Sequence, residues 1–176
     1  MTITLKELFL GELDREAKTT RRLLEQVPEG KADWKPHEKS MPFGYLATLV
    51  ATLPSWTVFT IDRDELDIRP VGGEPYKSPE YKTTAELVAG FDKNVADAKK
   101  ALENTTDEHL MKPWAFFVAG QKISEDPRYI VLRDTVLNHL MHHRGQLSVY
   151  LRLLEAKVTS LYGPTADEPF FGGASS

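Results

Sequence analysis

NHLMHHRGQL, residues 138–147, sets His139 and His143 four positions apart, and on an α-helix residues at i and i+4 lie one above the other on a single face. Gln146 and Tyr150 extend that face at spacings of three and four. Two imidazoles about one turn apart can reach a common ion at Zn–N distances of about 2.0–2.1 Å. They do not complete a site, because catalytic zinc ordinarily takes three protein ligands and leaves one position to water or substrate. The same spacing also suits two histidines that are hydrogen-bonded to neighbours inside a helical core. His142 falls on another face and is expected in solvent.

The decamer sits in residues 127–155, where no proline follows Pro127, Gly145 is the one glycine, and Tyr129, Leu132, Val136, Leu140, Leu147, Tyr150, Leu151 and Leu154 keep a helical period. Such a helix runs about 40 Å at about 1.5 Å per residue. Toward the N-terminus, Thr4 with Glu7 makes a capping box, after which Leu5, Phe9, Leu13, Ala17 and Leu24 recur at helical spacing until Pro28 and Gly30. A second helix is predicted from Pro42 through Phe43, Leu46, Val50, Leu53 and Ile61, with a kink at Pro54. A third opens at Thr83 with Glu86 and buries Leu87, Phe91, Val95 and Leu102. Between the second and third, Pro70, Gly72, Gly73, Pro75 and Pro79 mark a long extended crossover. The run WAFFVAGQKIS, residues 114–124, reads as a small hairpin around Ala119-Gly120. Four main helices with one long crossover predict an all-α, up-and-down four-helix bundle in a single domain over residues 1–176.

Composition narrows the function classes. The chain of 176 residues is 41% hydrophobic, enough for one core without staples. It has no cysteine, so any sulfur chemistry must draw on an outside thiol. With 22 Lys+Arg against 26 Asp+Glu, the net charge of −4 gives no reason to expect nucleic acid as a partner. The N-terminus lacks the basic flank and apolar run of a signal peptide, and no stretch is read as a membrane span, so a cytoplasmic protein without a membrane partner is expected.

The run HLMHHRGQLSVYLRLLEAKV, residues 139–158, followed by LYGPTADE, residues 161–168, resembles the last helix and tail of DinB-like proteins. WKPHEKSMPFGYLATLVATLPSW, residues 34–56, resembles their second-helix region, and the turn containing Arg128 fits as well. The resemblance implies a bundle, usually dimeric, that holds nickel or zinc with three histidines. Two of these match His139 and His143. The third position is taken by Leu49, with Thr48 alongside, and a leucine offers no lone pair. The implied divalent-metal site is therefore incomplete, and a metal is expected to be weakly held or absent. Relatives include thiol-dependent transferases and isomerases, so a low-molecular-weight thiol or another small molecule is an expected partner, beside a homodimer partner.

Substitute ligands are few. Thr52 is one turn from Thr48 but hydroxyls ligate poorly, Asp62 is about three turns further on, and His37, His109 and Glu168 read as ordinary surface residues. Trp56, Phe59, Trp114, Phe116 and Phe117 are candidates for a ligand pocket, against the commoner alternative of core or interface. Asp62, Asp64, Glu65 and Asp67 read as a solvated acidic loop. Arg144 and Gln146 are candidates to orient a histidine or to anchor a neighbouring helix, and Tyr162-Gly163-Pro164 is a turn folding the tail back.

Overall fold

Thr4 opens the first helix through the reciprocal bonds of a capping box: Glu7 N–H donates to Thr4 Oγ1 at 3.1 Å and Thr4 N–H to Glu7 Oε2 at 2.9 Å. The computed structural model describes residues 3–169. α1 (Leu5–Leu24) buries Phe9, Leu13, Ala17 and Leu24 on one face. α2 (Phe43–Thr52) starts directly after Pro42. The missing N–H of Pro54 breaks the ladder, leaving a 3-10 turn at Leu53–Ser55 before α3 (Trp56–Asp62). Contrary to expectation, Phe43–Asp62 is long and apolar enough to cross a membrane by composition, but 56% of its apolar window is buried against the rest of the fold. α4 (Thr84–Asn104) is capped by Thr83, although Glu86 reaches back to the N–H of Lys82 rather than to that of Thr83. α5 (Asp107–Leu110) turns its Asp107 carboxylate to the N–H groups of Leu5 and Lys6, at 2.9 and 3.1 Å, and so closes the start of α1 from across the fold.

The all-α expectation, and with it the four-helix bundle, is overturned by a three-stranded mixed sheet. β2 (Pro113–Val118) and β3 (Gln121–Pro127) form the hairpin read from the sequence, turning through Ala119 and Gly120 at φ +52° and +74°. These positive angles match the right-handed strand twist. β1 (Glu65–Asp67), inside the predicted crossover, adds in parallel to β2, with Leu66 opposite Phe116. Three residues cannot display an alternation. β3 is exposed along almost its whole length and is held by backbone pairing rather than by apolar side chains. The hydrophobic pattern therefore carried no strand signal for β1, and of β3 it placed only the first part, up to Ser124, within the hairpin.

The predicted last helix is three pieces: α6 (Arg128–Val131), a π-helical stretch at Leu132–Asn138, and α7 (His139–Leu153). At their junction the His139 N–H donates to the carbonyl of Asp134, five residues back. Two main clusters fill the core. One joins Phe43, Leu46, Val50, Phe91, Leu140 and Leu147, and the other joins Phe9, Leu13, Ile61, Leu102, Leu132 and Val136. A third, of Leu66, Trp114 and Val131, seats the sheet on the helices.

Candidate functional site

His139 and His143 meet as the spacing predicts. Their Nε2 atoms are 2.8 Å apart and their ring centroids 4.5 Å. Gln146 sets the chemistry of the pair: its Oε1 lies 2.7 Å from His143 Nδ1, and a carbonyl oxygen only accepts, so Nδ1 carries the proton and His143 Nε2 presents a lone pair. The nitrogen of the same amide is 3.1 Å from Nε2 of His142, which is exposed as expected. Burial holds the His139 imidazole below the usual histidine value and the neighbouring His143 adds to this, while the Thr135 carbonyl opposes. Burial likewise lowers His143, against the hydrogen bond that it donates to Gln146. Both rings are thus biased toward the neutral form that ligates metals.

His139 also forms one wall of a cavity of about 270 Å³. Leu49 and Leu53 of the second-helix region line the same cavity. Among the described residues no group of three or more His, Asp or Glu could hold a metal ion. Among the described residues no third donor of these types joins the histidine pair. The proposed substitutes are engaged elsewhere. Thr52 Oγ1 donates to the carbonyl of Thr48 at 2.9 Å, His109 Nε2 contacts the carbonyl of Ile61 at 2.9 Å, and His37 is an exposed loop residue. Asp62 is exposed at the end of α3.

Of the five candidate pocket aromatics, Trp56, Trp114 and Phe116 line the cavity. Phe59 packs edge-on to Trp56 and Tyr76 instead, and Phe117 lies on the opposite face of the sheet beside Lys122. The remaining wall comes from residues that sequence reasoning missed: Ser124 and Asp126 on β3, with Ile130, Asp134 and Thr135 on the last helix. Thr135 was detectable as the residue four before His139. Ser124 and Asp126 had no signal without the strand register.

The other candidates have structural roles. Arg144 turns away from the histidines and donates to Glu16 Oε2 at 2.6 Å and to Thr20 Oγ1 at 2.9 Å, tying α7 to α1. Tyr162 OH, from the predicted turn, donates to the same Glu16 oxygen at 2.8 Å. Asp64 pairs with buried Arg128, and Asp67 accepts the N–H groups of Ala119 and Gly120 at the hairpin turn. Glu168 is more than a surface residue. The Ser160 N–H, Lys157 and Arg22 hold its carboxyl at about 2, and through Arg22 it fastens the tail to α1.

The family model described as the DinB superfamily matches residues 12–147, from α1 through both histidines. The chain belongs to the DinB superfamily. Within this superfamily it is similar to the uncharacterized protein YrdA of Bacillus subtilis (strain 168), 25% identical over 161 residues, which are 91% of this chain and 89% of that protein. Its fold is similar to the crystal structure of a DinB-like protein from Bacillus cereus ATCC 10987, with a TM-score of 0.68 and 24% identity over 88% of this chain and 95% of that one. It is also similar to that of the DinB-like protein YjoA from Bacillus subtilis, with a TM-score of 0.64 and 17% identity over 92% of this chain and 99% of that one. At these identities the solved structures speak for the fold.

Proposed function

We propose that this DinB-superfamily protein binds a small molecule in the cavity beneath His139, and that His139 and His143 offer a divalent ion, nickel or zinc, two nitrogens of an incomplete site. The observation that carries this reading is the double position of His139, which lines the cavity and meets His143 through Nε2. A cavity with aromatic and aliphatic walls and a few polar groups is the usual form of a small-molecule site. The neutral, oriented imidazoles suit a metal ion, and Leu49 leaves the remaining positions to water or to the bound molecule.

Two measurements test the parts separately. The neutral fluorophore N-phenylnaphthylamine is expected to bind the wild type and to lose most of its affinity for Ile130→Trp, which fills the cavity; equal binding would remove the pocket. Nickel titration of tag-free protein is expected to show weak binding that His143→Ala abolishes. If the wild type takes up no more nickel than the variant, the metal part fails.

A second reading, a metal-dependent thiol transferase or isomerase, is favoured by one feature. A chain with no cysteine and a leucine in the third place leaves room for an outside thiolate beside the histidine pair. Its mark would be nickel affinity that rises when a low-molecular-weight thiol is added.

A further inference from the structure

The cavity beside His139 has charged groups of one sign. Asp126 and Asp134 line it, and among the described residues no lysine or arginine does. Strand pairing makes this arrangement. Trp114 stands opposite Asp126 and Phe116 opposite Ser124, and these four side chains share the face of the sheet turned to the cavity. The register then slips at Ile123, and the basic groups of this region, Lys112, Lys122 and Arg128, line a separate groove with Ala115 and Phe117. On the helical side, the π-helical stretch brings Asp134 into the same wall as His139, five residues later.

The aromatic walls add a second preference of the same sign. The Trp114 indole N–H is spent on the carbonyl of Phe59 at 3.3 Å, so it is not available to a ligand. Trp114 and Phe116 are nearly parallel at 11°, and Trp56 leans against Phe116 with centroids 6.1 Å apart. Ring faces are negative at their centres and attract cations, and aromatic walls combined with carboxylates are how proteins select ammonium groups over neutral isosteres. An anion entering here would meet two carboxylates and no counter-charge.

We infer that the ligand of this cavity is an organic cation: an amine or quaternary ammonium on an aromatic or alkyl body, the body against Trp56, Trp114 and Phe116 and the charge near Asp126 and Asp134. This inference rests on the pocket reading above and adds the chemical class of the ligand.

The test uses three probes with the same phenyl body: phenethylamine, phenethyl alcohol and phenylacetate. Each competes with bound N-phenylnaphthylamine in buffer containing a chelator, so that no metal contributes. Phenethylamine is expected to bind about tenfold more tightly than the alcohol, with phenylacetate weakest. In Asp126→Asn, Asp134→Asn and the double variant the preference for the amine is expected to shrink stepwise. In Glu125→Gln, an acid on the other face of the same strand, it is expected to persist. Equal affinity for amine and alcohol, a preference for phenylacetate, or an amine preference retained in the double variant would overturn the inference and leave the pocket standing. Failure of all three probes to displace a fluorophore that Ile130→Trp excludes would do the same. Failure of the fluorophore itself to bind would remove the pocket reading, and the inference with it.

Discussion

Arg144 on α7 and Glu16 on α1 form a buried ion pair at 2.6 Å, with side-chain exposures of 1% and 4%. Thr19, Thr20 and Tyr162 share the network, so the charges are compensated on several sides. Removing one partner strands the other charge out of water, and such losses run to about 3–5 kcal/mol. Arg144→Ala is therefore expected to lower the unfolding free energy by about that amount in urea titrations, whereas Arg144→Met combined with Glu16→Met costs clearly less. A double variant as unstable as the single would show that packing, not the stranded charge, sets the loss.

Glu168 governs the acid stability of the tail. Its carboxyl is held at about 2 in the folded protein, against an ordinary value of 4.5. A carboxyl with a depressed folded value stabilises the fold fully above its unfolded value, and that contribution disappears as the pH falls toward the folded one. Melting temperature is therefore expected to fall between about pH 4.5 and pH 2, and to fall less steeply in Glu168→Gln, which starts lower at neutral pH. Parallel profiles for the two proteins would remove this role.

Asp67 holds the turn of the hairpin that forms the cavity wall. Its carboxylate accepts from Arg69 N–H at 2.8 Å, Ala119 N–H at 3.1 Å and Gly120 N–H at 2.7 Å. Asp67→Ala is expected to cost about 1–2 kcal/mol and to shift the emission of buried Trp114 to the red as the sheet loosens. Unchanged emission with reduced stability would place the effect in the turn alone.

Leu49→His would put a third imidazole on the cavity that His139 lines. Because Leu49 and His139 line one cavity, the variant is expected to bind nickel or zinc at least about tenfold more tightly than the wild type, a gain lost again in Leu49→His with His143→Ala. Titration calorimetry reads the change. An unchanged affinity would mean that position 49 does not reach the pair.

The helical elements were legible in the residues because their signals are local. Thr4 with Glu7, Pro42, Pro54 and the apolar spacing of Leu87, Phe91 and Val95 act within one or two turns, as does the spacing that brings His139 to His143. The family was legible in HRGQL and the tail string for a related reason: contiguous residues carry it. The sheet was not. β1 is three residues long and β3 almost wholly exposed, so neither has an apolar face to display, and both exist because β2 offers its backbone on either side. The cavity inherits that property. Its histidine came from the helix pattern, but the pairing of Trp114 with Asp126 depends on strand register, the five-residue step from Asp134 to His139 on the π-helical turn, and the meeting of Leu49 with both walls on packing between segments far apart in the chain. Sequence by itself determined the long helices in outline, the family and the histidine pair. Only the tertiary structure decided what that pair faces, because strand register and packing between distant segments are set by long-range contacts that no local spacing encodes.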